Sequence, residues 1–236
     1  MNQATKIDMQ GLYLVLTDPV TGYARCAEAA VACGVTWLQV RMKRARRDEI
    51  VAVGRTLRTI TRGTVTRLVI NDDVGIAREV DADGVHLGQG DMPLDEARRL
   101  WPAAGKVFGL STHSRAQAAR AVGCAPDYIG VGPVFATPTK AIPDPVLGLE
   151  EAGAIIRASH VPTVAIGGIG PENLADVRRH GATAFAVVRA VNQAADPDAA
   201  IRSLQAVWQA AGVIQPPPST SSPSKSAAIW PGVTAN

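Results

Sequence analysis

The feature that most constrains this chain is a repeated alternation. Short runs rich in Val, Ile and Leu each give way to a longer, amphipathic segment rich in Ala, Arg and Glu. Strands that each lead into a helical crossover pair in parallel, because the helix returns the chain to the same end of the sheet. The runs read as strands are Leu12–Thr17, Trp37–Met42, Arg67–Asn71, Gly84–Leu87, Lys106–Leu110, Tyr128–Val134, Thr163–Gly167 and Phe185–Val188. Helix-like stretches follow, such as Asp48–Thr61 and Pro171–His180. Pro171 suits a first helical turn, and Gly181 a stop just past the end. Eight such units predict an α/β fold, the closed (β/α)8 TIM barrel. No GxGxxG follows the first run, which removes the best signal for an open dinucleotide-binding sheet.

A barrel of this kind takes about 200–250 residues, so a chain of 236 holds one and leaves little over. Hydrophobic residues at 47% are enough to fill its core. From Gln215 the composition changes to Pro216, Pro217, Pro218 and then a Ser/Pro/Thr-rich stretch, which cannot bury enough apolar surface to offset the entropy of ordering. The expected division is a catalytic domain over 1–214 and a disordered Pro/Ser-rich tail over 215–236. Aromatics at 4% leave few platforms for stacking bases, and a net charge of +3 is too weak to draw nucleic acid or a membrane surface. Neither partner is expected. Met1 to Gln10 holds no apolar run, and no stretch approaches the roughly 18 apolar residues of a membrane span. Cys26, Cys33 and Cys124 lack metal-ligand spacing; Cys26 and Cys33 read as small core residues of a helix. Three thiols without a disulfide framework suit a reducing compartment, so a cytoplasmic enzyme is expected. A homo-oligomer stays open.

Active sites of such barrels form at the C-terminal ends of the strands. In the second run Gln39, Arg41 and Lys43 alternate with Leu38, Val40 and Met42, so the polar three share one face, which points into the barrel. Two inward cations need a counter-charge, supplied either by a phosphate or diphosphate or by a ladder of acids on neighbouring strands. The third run ends in Asn71-Asp72-Asp73, and the fourth leads into Gly88-Gln89-Gly90-Asp91. Asn-Asp-Asp also suits a helix N-cap. Beside Asp91 and facing two cations, it reads as oxygen ligands for Mg²⁺. Ser111, at the end of the fifth run, either donates to a substrate or caps the next helix. His113 shows no required role, His86 reads as a hydrogen-bonded barrel residue, and His160 and His180 as surface positions. Thr137, Thr139 and Lys140 form a compact anion site in a Pro-rich loop. Gly167, Gly168 and Gly170 at the end of the seventh run, with Val188 and Arg189 at the end of the eighth, sit where such barrels hold phosphate.

Together these motifs make the chain resemble the thiamine-phosphate synthase family over about residues 11–212. The resemblance rests on Leu12–Asp18, Gln39-x-Arg41-x-Lys43, Asn71-Asp72, Gly84–Gln89 with Asp91, Ser111–His113, Gly132–Lys140 and Ile166–Ile169. It implies the joining of a pyrimidine carrying a diphosphate to a thiazole carrying a monophosphate, with diphosphate released. By the same resemblance Gln39, Val40, Arg41, Met42, Lys43, Asn71, Ser111 and Lys140 hold the pyrimidine diphosphate, with Arg41, Lys43, Ser111 and Lys140 acting in catalysis. Asp72 and Asp91 bind Mg²⁺. Thr137, Pro138, Thr139, Gly168, Val188 and Arg189 hold the thiazole phosphate. Passage through a pyrimidine carbocation captured by the thiazole nitrogen is also implied, and it needs no strong general base.

Three positions depart from the family pattern. Asp73 stands where Arg is frequent, Met42 where Glu is common, and Arg189 where a small Ser is usual. Arg189 either grips the thiazole phosphate with its side chain or leaves that to the backbone. Two rival readings are a thiazole tautomerase of the same fold and a non-catalytic sensor of thiazole or thiamine phosphate. Pro133, where tautomerases carry His, counts against the first, and the Asp72/Asp91 pair against the second.

Overall fold

The computed structural model describes residues 7–137 and 144–212. Eight strands close into a barrel in chain order: β1 (Gly11–Leu16), β2 (Trp37–Val40), β3 (Arg67–Asn71), β4 (Gly84–Leu87), β5 (Val107–Thr112), β6 (Tyr128–Val131), β7 (Thr163–Ala165) and β8 (Ala184–Val187). Every neighbouring pair is parallel, and β8 closes on β1. The helices between them are α1 (Tyr23–Ala32), α2 (Arg47–Thr61), α3 (Val74–Glu79), α4 (Leu94–Leu100), α5 (Arg115–Gly123), α6 (Gly148–Ala158) and α7 (Leu174–Arg179). Then come the short α8 (Arg189–Asn192) and a long closing helix, α9 (Pro197–Ala210).

Period-two alternation sorts the side chains into two layers. Leu12, Leu14, Leu16, Leu38, Leu68, Ile70, Ile129 and Phe185 face the helices and form one continuous core. Tyr13, Val15, Trp37, Val69, Val107, Tyr128, Val164 and Ala186 point inward and fill the barrel. The predicted face assignment of the second strand holds: Leu38 and Val40 join the helix-side core, whereas Gln39 is buried inside.

Boundaries differ from the sequence reading where side chains stop packing or a backbone donor is missing. β2 ends at Val40. Arg41 N–H still donates to Leu16 O at 2.9 Å, but Met42 and Lys43 leave the sheet. β6 stops at Val131, because Pro133 has no N–H for the ladder, although Val134 and Phe135 resume bonding to Ile166 and Gly167. β5 runs two residues further than predicted, to Thr112. Helix α7 begins at Leu174, so Pro171 lies in the turn before it. There Asn173 Oδ1 accepts from Gly170 N–H at 2.9 Å. Gly181 does follow the helix end, at φ 101°. Cys26 is buried in α1, whereas Cys33 is its partly exposed C-cap, and all three thiols are free. Among the described residues no helix is long and apolar enough to cross a membrane.

Candidate active site

The C-terminal strand ends gather the charged residues singled out in the sequence. Arg41 and Lys43 follow β2, Asp72 follows β3, and Asp91 closes the turn after β4. Asp72 sits in the left-handed region, at φ 66°, which swings its carboxylate towards its neighbours. It pairs with Lys43 and comes within hydrogen-bonding reach of Asp91. Burial, with the Asp91 charge adding to it, raises the Asp72 carboxyl above its usual range, and Lys43 opposes the rise. Asp91 is held by its own loop, its Oδ2 accepting from Gly88 N–H at 2.6 Å. Arg41 is largely desolvated, and that burial lowers its pKa against the pull of Asp72 and Asp18. So Lys43 meets the ladder-type partner that the sequence left as an alternative, while Arg41 has no ion pair among the described residues.

Asp73 is spent locally. Its Oδ1 accepts from Ile76 N–H at 2.8 Å and caps α3, so the N-cap and acid readings of Asn-Asp-Asp divide between Asp73 and Asp72. Asn71 is half-buried at the end of β3, in register with His86. Ser111 is not a cap: Ser114 accepts from Gln117 N–H at 3.2 Å at the start of α5. Ser111 Oγ instead lies 2.8 Å from His86 Nε2. His86 is the hydrogen-bonded barrel residue that the sequence suggested, with Nδ1 2.9 Å from Tyr128 Oη. Burial holds its pKa down to about 4. His113 bridges two loops, Nδ1 to Gly132 O at 2.6 Å and Nε2 to Asp144 at 3.4 Å.

The other side of the mouth is a cavity of about 660 Å³ lined by Arg41, Phe135, Thr137, Gly168, Val188 and Arg189, among others. Gly168 has φ 67°, and a Cβ there would lie 2.7 Å from Ala136 O, so only glycine lets this wall pass so close. Arg189 is exposed at the start of α8. Val40 and Met42 pack toward the helix side, so their side chains do not line the mouth. Pro138, Thr139 and Lys140 lie outside the described residues. A second cavity, of about 670 Å³, opens at the opposite end between Asp8, Trp37, Arg58 and Arg67. In this fold the bottom face serves stability.

Three buried residues escaped the sequence reading. Asn192 ties the β8 end to β1: Thr17 N–H donates to its Oδ1 at 2.8 Å, and its Nδ2 donates to Val15 O at 2.8 Å and to Val188 O. Tyr13 and Tyr128 sit inside the barrel with their hydroxyls 2.8 Å apart. Their signal was present, since a Tyr on an inward strand position must find a partner for its hydroxyl.

Fold and mouth together define a class: a TIM-barrel enzyme with cations on two sides of its mouth and a carboxylate pair on one. Residues 12–191 match the family described as thiamine monophosphate synthase. The chain is 46% identical over 180 residues to the thiamine-phosphate synthase of Chloroflexus aurantiacus, covering 76% of this chain and 82% of that protein. It is 40% identical over 202 residues to that of Anaeromyxobacter dehalogenans, covering 85% and 88%. Among solved structures, the thiamine phosphate pyrophosphorylase from Pyrococcus furiosus superimposes with a TM-score of 0.78 at 33% identity, covering 86% of this chain and 96% of that one. The chain belongs to the thiamine monophosphate synthase family, transferases of thiamine biosynthesis.

Proposed function

We propose that this chain joins 4-amino-2-methyl-5-(diphosphooxymethyl)pyrimidine to 4-methyl-5-(2-phosphooxyethyl)thiazole, giving thiamine phosphate and diphosphate. The observation that carries this reading is the division of the mouth. Lys43 stands with the Asp72/Asp91 pair on one side, Arg189 stands by the glycine wall on the other, and Arg41 lies between them, lining the second cavity while feeling the Asp72 charge. Two separate anion places suit two phosphorylated substrates better than one.

The carboxylate pair fits Mg²⁺. Two oxygen donors that burial and mutual repulsion keep from sharing negative charge comfortably are relieved by a hard divalent cation. Among the described residues no third His, Cys, Asp or Glu joins the pair, so the remaining positions around the ion would fall to water and substrate oxygens. When bound, Mg²⁺ would offset charge on the departing diphosphate. That charge grows as the C–O bond breaks, so Arg41, Lys43 and Lys140 stabilise the transition state more than the ground state. Gln39, Asn71 and Ser111 orient the pyrimidine; Val40 and Met42 contribute backbone only. Thr137, Pro138, Thr139, Gly168, Val188 and Arg189 hold the thiazole phosphate. The thiazole nitrogen is neutral and captures the carbocation-like pyrimidine, so no residue has to remove a proton from it. We place the enzyme in the cytoplasm, in keeping with its free thiols.

Product analysis after incubation with both substrates and Mg²⁺ tests this reading. Thiamine phosphate is expected. Isomerised thiazole without coupling would favour the tautomerase, and binding without any turnover would favour the sensor; either overturns the proposal.

A further inference from the structure

A chain of hydrogen bonds crosses the barrel interior from one predicted substrate residue to another. Gln39 Nε2 donates to Tyr13 Oη at 2.9 Å. Tyr13 Oη lies 2.8 Å from Tyr128 Oη, which lies 2.9 Å from His86 Nδ1. His86 Nε2 lies 2.8 Å from Ser111 Oγ. The five residues come from β2, β1, β6, β4 and β5 in turn. Tyr13 and Tyr128 are 3% and 1% exposed, so their hydroxyls are cut off from bulk solvent.

With the Gln39 amide nitrogen on Tyr13, one arrangement of hydrogens gives each link of this chain a donor and an acceptor. An amide nitrogen only donates. The Tyr13 oxygen therefore receives from Gln39, and its own hydrogen goes on to Tyr128. Tyr128 then donates to His86 Nδ1, which must carry no hydrogen. The imidazole hydrogen sits on Nε2 and goes to Ser111 Oγ. The hydrogen of Ser111 is left over, with the open mouth as its outlet. A hydrogen on Nδ1, in the other tautomer or in the imidazolium, would turn Tyr128 towards Tyr13. Tyr13 would then accept from both Gln39 and Tyr128, and its own buried hydrogen would be left without an acceptor. The reverse chain requires the Gln39 amide to turn over so that its oxygen accepts from Tyr13.

We propose that Tyr13, Tyr128 and His86 are positioning residues that fix Ser111 as a hydrogen donor toward the diphosphate-bearing substrate. They also couple that polarity to the orientation of the Gln39 amide. The group Ser111 meets is then an acceptor, a phosphate oxygen or an unprotonated ring nitrogen. This inference rests on the reading above, in which Ser111 faces the pyrimidine substrate.

Two measurements test it. In the full-length protein without substrate, ¹⁵N NMR of the four histidines, with His86 assigned by its loss in His86→Gln, is expected to show the Nε2–H tautomer. An Nδ1–H signal would overturn the proposal, and it reads the relay whether or not the coupling reaction occurs. Tyr128→Phe keeps the ring but cuts the chain without touching Ser111. It is expected to lower kcat/KM for the pyrimidine substrate about fivefold to tenfold, the loss of one neutral hydrogen bond. In a Ser111→Ala background the same substitution should change the rate by less than about twofold. Losses that multiply would show that Tyr128 acts independently of Ser111 and would sink the relay. Tyr13→Phe provides a second cut, with the same pattern expected, should Tyr128→Phe not fold.

Discussion

Asp72 sits where burial and the Asp91 charge push its carboxyl one way and Lys43 pulls it the other. With its folded pKa above 3.8, it adds stability below that value and loses it as pH rises through the raised pKa, so the penalty is in force at neutral pH. Metal-free Asp72→Asn should therefore melt about 2 °C higher than the parent at pH 7 and lose coupling activity; a lower melting temperature would contradict the conflict described here. Arg41→Ala and Asp91→Ala should cut turnover by about 100-fold or more, with circular dichroism unchanged, since the first removes a cation facing the departing diphosphate and the second a carboxylate that would hold Mg²⁺ against it. Near-parental turnover in either would remove it from the site. Arg189→Ala should raise KM for the thiazole about tenfold and leave kcat alone, as expected for binding shared by ground and transition states; an unchanged KM would leave the backbone as the phosphate holder. At this scale the alternation of Gln39, Arg41 and Lys43 with Leu38 and Val40 was readable, because a period of two decides the face. The choice between Asp72 and Asp73 was not, because it depends on one left-handed φ and one capping bond.

The inward faces of β1, β4 and β6 carry Tyr13, His86 and Tyr128, polar groups that must stay bonded to one another inside an apolar barrel. His86 has its pKa lowered to about 4 by burial, against 6.5 when exposed. The sign follows from proton uptake: below pH 6.5 the unfolded chain binds a proton that the folded one refuses, so stability present above pH 6.5 is lost as pH falls towards 4. Denaturant titrations should show about 3 kcal/mol lost across that window, and His86→Gln should flatten the slope; an unchanged slope would show that another group sets it. All eight strands were legible as elements, since each has its apolar face. Their ends were less so. β2 stops where Arg41 and Lys43 diverge toward the mouth, and α7 starts after a turn that Asn173 closes. The cross-barrel chain joins residues up to 115 positions apart, beyond the reach of local periodicity.

Taken whole, the molecule places its chemistry at one end of a packed barrel. Strand order, closure and the helix-side core followed from the eightfold repeat, because each strand could bury its outer face only under its own crossover. Asn192, which ties the end of β8 to β1, could not be foreseen from a four-residue helix. The central claim is that two phosphorylated substrates meet across this mouth, over a metal held by Asp72 and Asp91. Its most direct measurement is diphosphate release by the full-length protein with each substrate alone, with both, and with both plus chelator. Release is expected with both substrates only, one diphosphate per thiamine phosphate, abolished by chelator and restored by added Mg²⁺. Release that ignores the thiazole, or that persists undiminished under chelation, would contradict it.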